Sequence, residues 1–244
     1  MQVDLRLPLR FVGAMRLLLF LCALISGVRA AVPVARPEPV ERELAAALKT
    51  FRTDGPRGWA FTQTTESGAT SFVERFDPAQ RDLARWTLLR QDGHAATPEE
   101  QRDYLEDQKH RAQGTTAPKL TEQFDLRTLE TVATTAERTT YRCQLIQGET
   151  GDRTAAFLRV TLVLHKPTRT IESLEIANIA EFSPTFGVRV SEMKTVLTYS
   201  LPAADRPSLP QKVTTHLRGR AFWVKSLDAD MTVTFSDYAK AGKQ

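Results

Sequence analysis

The sequence has 244 residues, of which 41% are hydrophobic and 25% are charged, and its formal net charge at pH 7 is +4. These ordinary globular values exclude a collagen, a coiled coil and a wholly disordered chain. The longest apolar run has about a dozen residues, and a polytopic membrane protein needs several runs of about 20.

The N-terminal segment, residues 1–30, is predicted to be a secretory signal peptide. Three arginines precede its apolar run, 17–28, and the small residue Ala30 follows as the predicted cleavage site. A basic flank, a short apolar core and a small-residue exit are typical of export signals. The mature chain is therefore expected in the periplasm or outside the cell. An uncleaved anchor is the alternative reading of this segment, and Met15 is an alternative start.

Removal of residues 1–30 changes the charge and the cysteine content. The net charge falls from +4 to +1, which argues against nucleic-acid binding because that function needs a basic face. Cys143 is then the only cysteine, so no disulfide within the mature chain is expected. Tyr141, Cys143 and Leu145 share one side of an alternating stretch, and we therefore expect Cys143 to be a buried, small apolar residue.

The mature chain begins with a proline-rich leader and an amphipathic helix. The leader, 31–39, contains three prolines and is predicted to be a stiff, extended spacer. The helix is predicted over 40–51, and we expect its apolar face to pack on a core. That face consists of residues at helical spacing: Val40, Leu44, Leu48 and Phe51.

The next segment alternates with period two and predicts a hairpin, a third strand and a helix. Strands are predicted from Trp59, over 70–76 and over 85–90, and Asp92-Gly93 is predicted to be a turn. Thr97-Pro98-Glu99-Glu100 then matches a capping box with proline at the first helical position. This second helix is predicted from Pro98 to about Ala112, and its polar composition places it on the surface.

From Phe124 onwards the sequence is almost entirely β-like. Residues 157–165 alternate so that one side of the strand is wholly apolar and the other is mixed, which is typical of an antiparallel sheet with one wet face. The predicted fold is mainly β (α+β): one large, curved antiparallel sheet or incomplete β-barrel, with about ten strands and two or three helices, in a single domain over 40–240. The strands in this half are predicted over 130–134, 139–147, 155–165, 171–177, 188–201, 211–222 and 231–236.

No pattern for catalysis or metal binding appears. No histidine lies two to four residues from another histidine or from a cysteine, which are common spacings in zinc sites. The sequence contains no G-x-S-x-G, P-loop or G-x-G-x-x-G motif, and Asp228-Ala229-Asp230 lacks the rest of a calcium loop. We therefore predict a protein that is not an enzyme and has no cofactor and no metal. An enzyme that uses Cys143 or a histidine is a weaker alternative.

The predicted sheet has more apolar surface than one amphipathic helix can cover. An uncovered apolar face is a physical route to a hydrophobic binding cleft. Each aromatic candidate for lining such a cavity has the alternative of simply filling the core. The candidates are Trp59, Phe61, Phe72, Phe157, Phe186, Phe222, Trp223 and Phe235.

The order of these elements resembles that of secreted proteobacterial proteins with the LolA/LolB-like periplasmic lipoprotein-carrier fold. The resemblance covers roughly residues 40–238 and rests on the Trp59-x-Phe61 strand and the segments 72–76, 85–93 and 97–100. It implies an incomplete antiparallel barrel with helices at its open side and an apolar cavity that takes acyl chains. It also implies an arginine that helps to hold the lid, for which four residues qualify: Arg52, Arg57, Arg75 and Arg90.

Two functions follow as expectations. The first is a secreted, non-enzymatic periplasmic carrier or sensor that binds a lipid, a lipoprotein acyl chain or another hydrophobic ligand on the sheet. The second is an envelope scaffold or protein-interaction module whose core is filled by its own side chains and whose strand edges or polar helix bind a partner. Neither function involves nucleic acid or a membrane span after signal cleavage.

Overall fold

A computed structural model of the chain describes most of the region that follows the predicted leader. The predicted signal peptide, its cleavage site and the leader up to residue 38 lie outside the described residues. Side chains are not described at 39–41, 82 and 110–112. The described residues are 39–51, 57–112, 120–147, 154–222 and 224–241.

The described residues form two α-helices and a 12-stranded antiparallel sheet, which confirms the mainly β prediction. The helices are α1 (Pro39–Thr50) and α2 (Pro98–Ala112). The strands are β1 (Trp59–Ser67), β2 (Thr70–Phe76), β3 (Trp86–Gln91), β4 (His94–Ala95), β5 (Phe124–Thr134), β6 (Arg138–Leu145), β7 (Leu158–His165), β8 (Thr170–Asn178), β9 (Val188–Tyr199), β10 (Pro210–Ala221), β11 (Lys225–Ser226) and β12 (Ala229–Lys240). Neither described helix is long and apolar enough to cross a bilayer.

The strands follow one another as a meander that folds back on itself. Their order across the sheet is β4-β3-β2-β1-β12-β10-β9-β8-β7-β6-β5, with β11 paired to β10. The first and last long strands, β1 and β12, therefore meet in the middle of the sheet. β4 and β5 lie at opposite edges and do not pair with each other, so the sheet does not close into a barrel.

Local sequence signals explain several of these elements. Asp92 and Gly93 both have positive φ, 47° and 85°, which is the backbone of the two-residue turn that joins tight hairpins. The capping box forms as predicted: the backbone N–H of Thr97 donates to Glu100 Oε2 at 2.8 Å, and the N–H of Glu100 donates to Thr97 Oγ1 at 3.3 Å. Pro39, predicted to end the leader, is instead the first residue of α1, a position that proline favours.

The core lies between α1 and one side of the sheet, which we call the inner face. Leu44 and Leu48 of α1 are buried in the same cluster as the apolar residues of β7. Every second residue of β7, from Leu158 to Leu164, is buried, which confirms the one-sided pattern predicted there. Twelve strands replace the expected ten because β4 and β11 have two residues each and are too short to show a period.

Candidate ligand-binding face

One row of directly paired residues crosses eight strands of the inner face, from β6 to β2. All members except one threonine carry apolar or aromatic side chains. We call it the cross-strand row, and in sheet order it consists of Tyr141, Leu162, Leu174, Leu197, Val213, Val233, Thr65 and Phe72. The alternating strand sequences place these residues on one side because successive side chains of a strand point to opposite faces.

Burial changes along the cross-strand row. Tyr141, Leu162 and Leu174 belong to the core cluster under α1 and are at most 1% exposed. From β9 to β2 the row continues, but Val213 and Phe72 are only half-buried. The apolar surface of the sheet thus extends beyond the part that α1 covers.

An aromatic cluster lies at the far end of the inner face. Phe61 is its centre: its ring centroid is 5.1 Å from that of Phe76 and 5.7 Å from those of Trp86, Phe235 and Tyr238. Phe61 is buried, whereas the four surrounding rings are half-buried. Edge-on and tilted rings at these separations attract one another, so the cluster forms a second apolar surface.

A buried carboxylate connects α2 to this part of the sheet. Glu74, on β2, is 7% exposed. It accepts hydrogen bonds from Gln63 Nε2 at 2.9 Å and from the hydroxyl of Tyr104 on α2 at 2.7 Å. Buried polar groups need such partners, and these bonds hold the otherwise polar α2 against the sheet.

A cleft opens at the C-terminal end of α1 and has a volume of about 160 Å³. Two aromatic rings, those of Phe51 and Tyr199, meet inside it with centroids 4.8 Å apart. Trp59 and Ile171 also line it, together with the exposed Arg57. The cleft therefore combines apolar walls with one cation.

A larger groove of about 290 Å³ lies on the opposite, outer face, and charged and hydroxyl side chains are among the residues that line it. There His216 lies between two carboxylates, with Nδ1 2.5 Å from Asp230 and Nε2 3.5 Å from Glu192. Hydrogen bonds from Arg218 and from His216 hold the pKa of the Asp230 carboxyl below its usual value. A ligand in this groove would therefore contact the charged pair of His216 and Asp230.

The structure brings only some of the predicted cavity residues together. Phe61 and Phe235 are in contact within the aromatic cluster. Phe72 lies on the same face as a member of the cross-strand row. Trp59 lines the cleft at the end of α1.

The other predicted cavity residues lie elsewhere. Phe157 stacks on Phe182 with centroids 5.9 Å apart and packs against the core. Phe186 and Phe222 are 92% and 63% exposed, so they are surface residues and not part of the inner-face clusters. Trp223 lies outside the described residues.

Sequence reasoning missed several residues of the inner face. Phe76 lies two positions from Glu74 and four from Phe72, so strict alternation along β2 predicts that it shares their face. The sequence predicts that Phe51 lies on the apolar face of the first helix. Nothing local in the sequence predicts its contact with Tyr199. That contact joins elements more than a hundred residues apart, and such pairings leave no local pattern.

One of the four arginines that the resemblance leaves open lines the cleft. That residue is Arg57. Arg75 donates to Thr62 Oγ1 at 3.2 Å and to the Asp237 carbonyl at 3.0 Å, and Arg90 donates to the Gly93 carbonyl at 2.8 Å. Arg52 lies outside the described residues.

Two residues considered for catalysis, Cys143 and His165, are buried in the fold. Cys143 is fully buried, and burial, with a smaller contribution from Asp125, raises the pKa of its thiol to about 12. A thiol with so high a pKa is not a nucleophile near neutral pH. His165 is buried, and its Nδ1 lies 2.8 Å from the Thr168 hydroxyl. Within the described part of the chain, no three His, Cys, Asp or Glu side chains are grouped so as to hold a metal.

Comparisons with known proteins give one distant structural likeness. No family model and no curated protein matches the chain. The fold is similar to a solved domain from Vibrio parahaemolyticus, provisionally described as an outer membrane lipoprotein-sorting protein. The two chains are 8% identical, the TM-score is 0.37, and the match covers 83% of this chain and 93% of the other. A similarity this loose does not establish a common function.

Proposed function

We propose that this protein is a secreted, non-enzymatic periplasmic carrier or sensor that binds a hydrophobic ligand on the inner face of its sheet. The ligand class is a lipid or the acyl chain of a lipoprotein. The observation that supports the proposal is the cross-strand row, whose apolar residues continue from β9 to β2 beyond the cover of α1. Val213, Thr65 and Phe72 in this part of the row are half-buried, and partly accessible apolar surface is a common feature of hydrophobic binding sites.

Binding would rest on burial of apolar surface. Each methylene group that leaves water contributes about 0.8 kcal/mol before the cost of ordering the chain. The cleft beside Phe51 and Tyr199 provides apolar walls for one end of the ligand. Arg57 lines the same cleft, so a ligand with an anionic end fits it better than a neutral or cationic one.

A fluorescent fatty acid tests this proposal directly. The chain from residue 31 onwards is titrated into 11-(dansylamino)undecanoic acid, whose emission rises on transfer to an apolar site. Thr50 lines the cleft on the exposed side of α1, so Thr50→Trp should fill the cleft and weaken binding at least about tenfold. Ala46→Trp adds the same ring to an exposed position of α1 outside the cleft and should leave binding unchanged.

Native mass spectrometry of the same chain, purified from a periplasm without detergent, complements the titration. A co-purifying lipid or other hydrophobic mass that the Thr50→Trp variant loses would support the proposal. The same spectrum shows whether the mature chain begins at Ala31. Wild-type protein that neither binds the dansyl probe nor carries a hydrophobic mass would refute the carrier function.

One observation favours a second function, that of an envelope scaffold. The cleft volume of about 160 Å³ is smaller than the roughly 300–1,000 Å³ of typical ligand pockets. The space under α1 is filled by the protein's own side chains, since Leu44, Leu162 and Leu174 are all 0% exposed. A stoichiometric protein partner in the native mass spectrum, with no hydrophobic ligand, is the result expected for a scaffold.

A further inference from the structure

Two loops at one end of the sheet present apolar side chains to solvent. Phe186 precedes β9 and is 92% exposed, while Phe222 and Val224 lie between β10 and β11 and are 63% and 89% exposed. We call these three residues the aromatic tip. Single exposed apolar residues are common on protein surfaces, but two aromatic rings and a valine on adjoining loops form a protruding group.

The two loops are joined to each other by backbone and ring contacts. The N–H of Phe222 donates to the Gly187 carbonyl at 2.6 Å. Val188, the first residue of β9, pairs with Ala221, the last residue of β10. A Cβ atom at Gly187 would lie 2.7 Å from Phe222 Cε1. The Phe222 ring therefore lies directly against the backbone of Gly187, so the two loops of the aromatic tip are in contact.

The position of Phe186 is fixed from within the fold. Phe182, four residues earlier, is buried, forms an isolated β-bridge with Val190 and stacks on Phe157. The loop is thus anchored in the core by one phenylalanine and exposes the next. Phe222 in turn has φ = 47°, a conformation that is unfavourable for a bulky residue. Strained and exposed residues that the surrounding structure maintains are often functional.

Two exposed cations lie beside the aromatic tip without an ion-pair partner among the described residues. Arg189 and Arg220 are directly paired across β9 and β10, and Lys225 pairs with Ala221 beside them. Arg189 forms an ion pair with Glu181. Arg220 and Lys225 are exposed and have no ion pair with a described residue. Asp228, which follows β11, accepts the backbone N–H of Gly219 at 3.2 Å.

We infer that the aromatic tip docks the protein on the surface of a membrane that contains anionic lipids. Aromatic side chains favour the interface between water and the apolar interior of a bilayer, and nearby cations are attracted to anionic headgroups. Arg220 and Lys225 supply the charge that complements such a surface. The inference is independent of the ligand proposed for the inner face, because the aromatic tip does not include any residue of the cleft.

Vesicle co-sedimentation tests the aromatic tip. The chain from residue 31 is used because the apolar run before it would bind membranes by itself. Vesicles of phosphatidylcholine alone are compared with vesicles that contain 30% phosphatidylglycerol. We expect the wild-type chain to sediment with the anionic vesicles. The tip variant is Phe186→Ser, Phe222→Asn and Val224→Ser, in which asparagine tolerates the positive φ.

The tip variant should bind the anionic vesicles at least about tenfold more weakly, because removal of one aromatic ring from an apolar environment already has an effect of that size. A matched control removes three exposed apolar side chains elsewhere and should bind as the wild type does. The control is Leu89→Ser, Val132→Ser and Leu201→Ser, at positions that are 42%, 44% and 38% exposed.

A second pair of variants tests the charge. Arg220→Gln with Lys225→Gln should reduce binding to the anionic vesicles, while Lys212→Gln with Lys240→Gln, which also removes two exposed cations, should not. Binding of the dansyl fatty acid should be normal in the tip variant, so failure of one proposal is distinguishable from failure of the other.

Three results would overturn the inference. The wild-type chain remains in the supernatant with both kinds of vesicle, or the tip variant sediments as the wild type does. Alternatively, sedimentation velocity without lipid shows self-association that the tip variant abolishes, which would assign the aromatic tip to a second copy of the chain.

Discussion

The packing of α1 on the sheet can be tested by truncating one side chain, Leu44. This residue is 0% exposed and belongs to the same buried cluster as Leu162 and Leu174. Leu44→Ala removes three carbon atoms from that cluster and leaves a cavity, because neighbouring residues relax only partially. Leucine-to-alanine changes at buried sites cost 2–5 kcal/mol.

We expect Leu44→Ala to lower the free energy of unfolding by about 3 kcal/mol. Leu44 is completely buried, and the strands beneath it are held in place by hydrogen bonds to their neighbours, so they cannot move to fill the cavity. For a domain of this size the melting temperature changes by about 2–4 °C per kcal/mol. The melting temperature should therefore fall by about 6–12 °C. Thermal unfolding followed by circular dichroism measures this change, and urea unfolding gives the free energy independently.

The control is Ala46→Ser on the exposed side of the same helix. Serine lowers helix propensity slightly, so this variant should lose no more than about 0.5 kcal/mol. The reasoning is refuted if Leu44→Ala loses less than about 1 kcal/mol or no more than Ala46→Ser. Either result would mean that α1 contributes little to the core.

Three further predictions concern the sheet. Because burial raises the pKa of the Cys143 thiol to about 12, Ellman's reagent should leave the folded chain from residue 31 onwards unmodified at pH 8 and should react fully with it in 6 M guanidinium chloride. Hydrogen bonds from Arg138 lower the pKa of Glu172 below its ordinary 4.5. The pair therefore stabilises the fold above pH 4.5, and this contribution is lost as the pH falls through the lowered pKa. Glu172→Gln should narrow the difference between the urea midpoints at pH 7 and pH 3, and an unchanged difference would contradict this. A Cβ at Gly219 would lie 2.6 Å from the Arg189 carbonyl oxygen, so Gly219→Ala should cost about 1–3 kcal/mol in urea unfolding, and a neutral effect would show that this part of the β9–β10 ladder is adaptable.

Elements whose determinants are local could be predicted from the sequence. The alternation of apolar residues from Leu158 to Leu164 predicts that only one side of β7 is buried. Thr97 and Glu100 form the capping box that indicates the start of α2. In each case the physical cause, a two-residue period or a capping hydrogen bond, acts between residues that are close in the chain. The predicted strand at 130–134 was shorter than β5, because a register shift between Asp125 and Glu130 interrupts the alternation there.

Features that depend on distant contacts were not predicted. Nothing near Trp59 indicates that β1 pairs with β12 more than 150 residues later. Aromatic residues were expected to be inside because burial of large rings is favourable. The positive φ of Phe222 and the anchoring of its neighbouring loop by Phe182 are properties of the folded backbone, so the exposure of Phe186 and Phe222 became apparent only in the structure.

The irregular pairing of β5 has a consequence for the behaviour of the open sheet in a concentrated solution. An edge strand exposes unpaired N–H and C=O groups on which another chain can assemble. The β5–β6 ladder contains two register shifts, between Asp125 and Glu130 and between Thr131 and Ala133, and such bulges twist an edge away from a regular partner. At the opposite edge, the two-residue β4 pairs only with Arg90 and Gln91, so the rest of β3 forms the edge. Regular edge-to-edge pairing between copies is thereby disfavoured at β5, and the short β3 is the edge on which we expect any such pairing to begin.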